Sequence, residues 1–192
     1  SIKEYGTQLP ASVQNAFTGV EGRLLEVPFF VSAKNNFELI RNVIRKSGQA
    51  YQNAIRENPQ WQDILDASYQ LPCMRGLFEQ EDYIQTVAYG CFPLFPMTAY
   101  LLLAISEKIA QNERSVFTFL ANEEPGSLVY LIGHARGAAY GIGADAVYDY
   151  FQNLFRENTS MPVIHAEWLK AEYVLSKTTD EQKRKLIKVL AL

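Results

Sequence analysis

Two arginines are the side chains best placed by type and position to do chemistry. Arg23 follows Gly22 at the start of a short extended stretch, and Arg114 stands in Gln111-Asn-Glu-Arg-Ser115, directly after the longest apolar helical pattern. A guanidinium on the edge of a rigid element suits phosphate recognition, because its planar fork makes directional, charge-assisted bonds to phosphate oxygens. Each arginine also has a purely structural reading as an ion pair or helix cap, for Arg114 with Glu113 or Glu107. On the residues alone both readings stay open.

Other chemistries lack their residues. A phosphate loop of the form G-x-x-x-x-G-K-[ST] is missing. Lys46-Ser47 and Lys177-Thr178 are lysine–hydroxyl pairs without the preceding glycines. Gly133, Gly137, Gly141 and Gly143 cluster, yet no strand precedes them and no lysine is near, so they read as a loop between helices rather than a dinucleotide fingerprint. No G-x-S-x-G elbow is present, and His134 and His165 are the only histidines. Asp145, Asp149, Glu123 and Glu124 read as acids that complement helix starts. Tyr148, Tyr150, Phe151 and Phe155 read as core, since no basic groove accompanies them as base stacking would require.

The elements that would hold these residues are almost all helical. Apolar periodicity and capping signals predict helices over 8–17, 36–46, 50–57, 61–69, 96–109, 113–121, 128–136, 144–156, 163–176 and 179–192, with a weaker one over 79–90. Ser32 is expected to cap the second, Ser127 to cap that over 128–136, and Thr179 or Asp180 to cap the last. One short strand is expected near residues 23–30, where Leu25, Val27 and Phe29 alternate and Pro28 argues for an edge. In the helix over 96–109, where Pro96 suits the first position, Met97, Tyr100, Leu101, Ala104, Ile105 and Ile109 are expected to form the apolar face. The expected fold is mainly α, a bundle of about seven to eight principal helices with one N-terminal strand.

At 192 residues and 48% hydrophobic, the chain can bury a core without disulfides or metals. Its net charge of −3 offers no electrostatic case for nucleic acid or an anionic membrane. The basic cluster Lys183-Arg-Lys185 on the last helix reads as a solvated face. Cys73 and Cys91 lie in apolar surroundings without metal-ligand spacing, which fits two thiols in a reducing, cytoplasmic setting. No secretory signal opens the chain, and the apolar run 99–105 is far below the roughly 20 residues of a membrane span.

Three stretches carry a resemblance: Gly22-Arg-Leu-Leu-Glu-Val-Pro-Phe29, Cys91-Phe-Pro-Leu-Phe-Pro-Met-Thr98, and Ala110-Gln-Asn-Glu-Arg-Ser-Val-Phe-Thr-Phe-Leu-Ala121 followed by Glu124-Pro-Gly-Ser127. In order and spacing they resemble a region of large prokaryotic P-loop ATPases of the AAA+/STAND type. Asp149-Tyr-Phe151 and the ending Arg184-Lys-Leu-Ile-Lys-Val-Leu-Ala-Leu192 are similar to the same family. The resemblance implies that residues 1–30 end an ATPase core, 31–178 form a helical lid, and 179–192 begin a winged-helix-like segment. It further implies a fragment that does not catalyse alone, with ATP and Mg bound by a core elsewhere in the polypeptide and no cofactor held by this chain. Arg23 and Arg114 then become candidate sensors of nucleotide phosphate or bridges to a neighbouring subunit. Expected partners are that core and the downstream domains, with a hexamer and a nucleotide-switched monomer both open. Phe95 stands where the family form has histidine, which removes polar chemistry there. The alternative, from another class, is a stand-alone helical module that binds a protein partner.

Overall fold

The computed structural model describes residues 33–46, 48, 50–109, 116–134, 141–157 and 162–192, all within a compact unit spanning Ser32–Leu192. The helix expected over 8–17, the strand near 23–30 and the Ser32 cap lie outside the described residues. The fold is mainly α, as the periodicity predicts.

Eleven α-helices are formed among the described residues: α1 Ala33–Val43, α2 Ala50–Glu57, α3 Pro59–Tyr69, α4 Pro72–Arg75, α5 Gln80–Tyr83, α6 Pro96–Ile109, α7 Val116–Ala121, α8 Leu128–His134, α9 Ala144–Glu157, α10 Pro162–Leu175 and α11 Glu181–Leu190. The count exceeds seven to eight because several of these helices are short, and the one without a counterpart among the predicted ranges is α4. Pro72 opens the single turn α4. Pro59 opens α3, whose N-cap Asn58 accepts from the amides of Gln60 and Trp61 at 3.0 and 3.4 Å. Ser127 Oγ accepts from Tyr130 N at 3.3 Å, and Asp180 Oδ1 accepts from Gln182 N and Lys183 N at 3.0 and 3.1 Å, so both expected caps form.

A long core runs through α1, α6, α7, α9 and α10. α1 contributes Phe37 and Ile40, and α9 contributes Val147, Tyr148, Tyr150, Phe151 and Phe155 from one broad face. The tyrosines find partners as they are buried: Tyr148 donates to Glu172 at 2.9 Å and Tyr150 to Glu124. α11 packs on α9 and α10, and Lys188 Nζ meets Asp149 at 2.7 Å. A smaller core of Ile55, Trp61, Leu65, Ala88 and Tyr89 holds α2 and α3, with Phe92 and Phe95 packed against it.

α6 turns differently from the expected phase. Ala99, Leu102 and Ile105 are fully or nearly buried, whereas Tyr100, Leu101 and Ala104 are only half-buried. Its sequence is apolar all round, so periodicity cannot choose a face, and packing on α1, α7 and α9 does so instead.

The helix expected over 79–90 is α5 followed by a π-helical segment, Ile84–Ala88. Beyond it the chain turns through a cis Phe92–Pro93 peptide into α6. Ile142 is stitched onto this turn: its amide donates to Pro93 O at 2.8 Å, and its carbonyl accepts from Phe95 N at 3.1 Å and from Thr98 Oγ1 at 2.9 Å. The end of the glycine-rich loop is thereby tied to the start of α6.

Candidate functional site

α1 and α6 are both mostly apolar toward the core, but each carries one polar residue on the side where they meet at the surface. Asn36 of α1 donates through Nδ2 to Glu107 Oε1 of α6 at 3.3 Å. The bond crosses an open groove. On one side lies a cleft of about 410 Å³ walled by Phe37, Cys73, Leu77, Tyr100 and Leu103. On the other lies one of about 270 Å³ walled by Leu39, Leu103, Ser106, Val116 and Phe117. Asn36, Leu103 and Glu107 line both. Ser106 Oγ is buried there without a hydrogen-bond partner. The arrangement offers apolar walls and a single carboxylate, which suits an apolar segment bearing a cation. It contains no nucleophile paired with a base.

A second cluster forms where α1 ends. Lys46 reaches under the chain so that Nζ donates to Ile44 O at 3.2 Å and Gly90 O at 2.5 Å, above the Tyr51 ring. Burial drives the Lys46 pKa down to about 8, and the Arg41 charge adds to this. Burial also pushes the Cys91 thiol up to about 12, so it is an inert core thiol rather than a nucleophile. Arg56 Nε donates to Tyr89 Oη at 2.8 Å and lies over the same ring. These cations therefore hold the turn after the π segment and are engaged by carbonyls and aromatic faces.

Lys46 gives a pH prediction with a definite sign. Its folded pKa lies below the ordinary 10.5, so the unfolded chain binds the extra proton between about pH 8 and 10.5. The contribution of Lys46 to stability is therefore full above pH 10.5 and falls away as pH drops through about 8. Urea-unfolding midpoints of the wild type and Lys46→Met are expected to diverge across that window, with the wild type gaining relative to the variant as pH rises. A constant difference would show that the ammonium is solvated in the folded state.

Arg23 and Arg114 lie outside the described residues, as does Glu113, one of the acids weighed as a partner of Arg114. Glu107, the other, is engaged by Asn36. His134 and His165 each place Nδ1 at a backbone carbonyl, Tyr130 O at 2.8 Å and Phe155 O at 3.0 Å, which is a structural use. Phe95 fills an aromatic niche, its ring 4.6 Å from that of Trp61 and pressed against Gly141, where a Cβ would come within 2.2 Å of it. Sequence reasoning marked Tyr100 only as part of an apolar face and Glu107 only as a possible partner of Arg114, and it did not bring either together with Asn36 as a groove. No local motif flags them, because each is an ordinary residue on its own helix.

Among the described residues no group of three or more His, Cys, Asp or Glu is placed to hold a metal ion. No helix among them is long and apolar enough to cross a membrane. Comparison with family models, curated proteins and solved structures found no match to this chain.

Proposed function

We propose that this unit is the helical lid of a multidomain, cytoplasmic P-loop ATPase, binding no nucleotide itself and passing the nucleotide state of a separate core to later domains. The observation that supports this reading is the way α6 joins the two most distinctive stretches of the resemblance. Its first residues belong to the Cys91–Thr98 turn, which is tied to Ile142 by three hydrogen bonds. Its last described residue, Ile109, directly precedes the Ala110–Ala121 stretch that contains Arg114. A stiff helix anchored at one end and leading to an arginine at the other is the mechanical part that such a lid needs.

The test is Arg114→Ala in the longer natural polypeptide that carries a phosphate loop. ATP affinity or turnover is expected to fall about tenfold or more, as loss of a charge-assisted phosphate contact would cause. Arg23→Ala is the companion variant. If both variants leave affinity and turnover unchanged, the lid reading is wrong. The stand-alone interaction module is favoured by one observation of its own: large apolar side chains are exposed on α8, α10 and α11. A reading frame without a phosphate loop would select it.

A further inference from the structure

The Asn36–Glu107 bond that crosses the groove between α1 and α6 divides it into two lobes of different use. The larger, about 410 Å³, falls within the roughly 300–1,000 Å³ of small-molecule sites, whereas the smaller, about 270 Å³, falls below that range. A helical peptide, roughly 10 Å across, needs a continuous trough, and the bond interrupts it. The larger lobe therefore suits a compact ligand with an apolar body, which Phe37, Leu77, Leu103 and Ala104 would line.

The polar groups at its rim select the sign of that ligand. Among the described residues the Glu107 carboxylate meets only Asn36, a neutral amide, so no cation there balances its charge. Asn36 spends Nδ2 on that bond, which leaves its Oδ1 and the second Glu107 oxygen as acceptors without a donor among the described residues. Donors are scarcer. The amides of Gly76 and Leu77, on the α4 side of the lobe, are spent on Pro72 O and Met74 O at 3.0 Å each. The hydroxyl of Tyr100 accepts as readily as it donates. Free acceptors, a carboxylate and spent amides favour an ammonium, with its three donors and positive charge, over a carboxylate or phosphate.

We infer that the larger lobe binds a small hydrophobic amine in its protonated form, with the apolar body against Phe37, Leu77 and Leu103 and the ammonium at Glu107 and Asn36. The site is built without Arg23 or Arg114 and stands apart from the lid reading. Because Glu107 is exposed, its ion pair contributes little by itself. The apolar walls supply most of the binding, and the carboxylate supplies the preference for an amine over an alcohol of the same shape. Salt lowers that preference.

Titration of the full 192-residue chain with phenylbutylamine and its neutral counterpart phenylbutanol, each with a terminal polar group and followed by amide NMR shifts, tests it. At neutral pH the amine is a cation, as a lysine side chain is. The amine is expected to saturate with a Kd of about 3 mM, with the largest shifts in residues 73–77 and 100–107. The alcohol is expected to bind about fivefold more weakly. Glu107→Gln is expected to bring the amine down to the affinity of the alcohol while leaving the alcohol unchanged. Ala104→Phe, which fills the lobe, is expected to abolish both. Glu107→Gln is an exposed, isosteric change that leaves the fold intact, so it decides the matter even if Ala104→Phe fails to fold. Equal affinities for amine and alcohol in the wild type overturn the inference, as does an amine affinity that Glu107→Gln leaves unchanged. So does a lack of saturation at about 30 mM, or a set of shifts centred elsewhere on the bundle.

Discussion

Gly90→Ala is expected to lower the unfolding free energy by about 3 kcal/mol, the upper end for forcing one methyl into a packed interior. The cause is a collision rather than a backbone preference, since Gly90 is not one of the glycines at positive φ. A Cβ there would lie 2.0 Å from Thr86 O, 2.7 Å from Thr86 C and 3.0 Å from Arg41 Cδ. The arginine stem could swing away, but Thr86 belongs to the buried π-helical segment, and its carbonyl also takes the Cys91 thiol at 3.5 Å. Gly90 cannot retreat either, because its own carbonyl is held by Lys46 and its neighbours Tyr89 and Cys91 are buried. For a unit of this size the loss corresponds to a melting shift of about 6–12 °C. Thermal unfolding read by tryptophan fluorescence checks it, and a shift below about 2 °C would mean that the π segment rewinds to make room. The widened turn and the missing side chain form one feature: the π segment brings a carbonyl where only a glycine can pass.

Phe37→Ala is expected to cost about 3–5 kcal/mol, within the usual range for removing a buried phenyl ring. Phe37 is 1% exposed and meets Phe78 edge to face at 5.3 Å, joining α1 to the chain between α4 and α5. It also walls the larger cleft, so deletion opens the core to the groove. Its neighbour provides the contrast. Asn36→Ala removes a single surface bond to Glu107 and is expected to cost below about 0.5 kcal/mol. Urea unfolding of the two variants side by side would check both values. If Phe37→Ala costs as little as Asn36→Ala, α1 does not hold the groove wall and the groove is not a stable feature. Asn36→Ala is also the variant with which to study ligands of the groove, since it merges the two clefts while leaving the core intact.

Much of the architecture follows from short stretches read alone. The bounds of α2 are those its pattern predicts, and Asn58-Pro59 separates it from α3 by capping the second helix as the first ends. The α9 face of Val147, Tyr148, Phe151 and Phe155 is buried as its spacing requires. Ser127 and Asp180 cap as their types suggest. Periodicity, proline geometry and capping act within about one helical turn, so four or five consecutive residues carry the whole signal. The same locality explains the misreadings. α1 begins and ends three residues before its expected bounds, at Ala33 and Val43, so that Lys46 is free of the helix and can reach Gly90, a contact 44 residues away in sequence.

The groove and its surroundings are of the other kind. Asn36 and Glu107 are 71 residues apart, and neither is unusual among its neighbours. Their meeting depends on which side α6 turns inward, and that sequence, apolar all round, does not encode a side by periodicity. The lowered Lys46 pKa likewise arises from burial against a distant turn. α10 lies between these cases. Its apolar surplus is written in fourteen consecutive residues, but only the packing of the bundle shows that the side of Ala171 and Leu175 is the one buried. Local forces thus set which helices form and where they stop, whereas burial, a property of contacts distant in sequence, selects which faces remain for function.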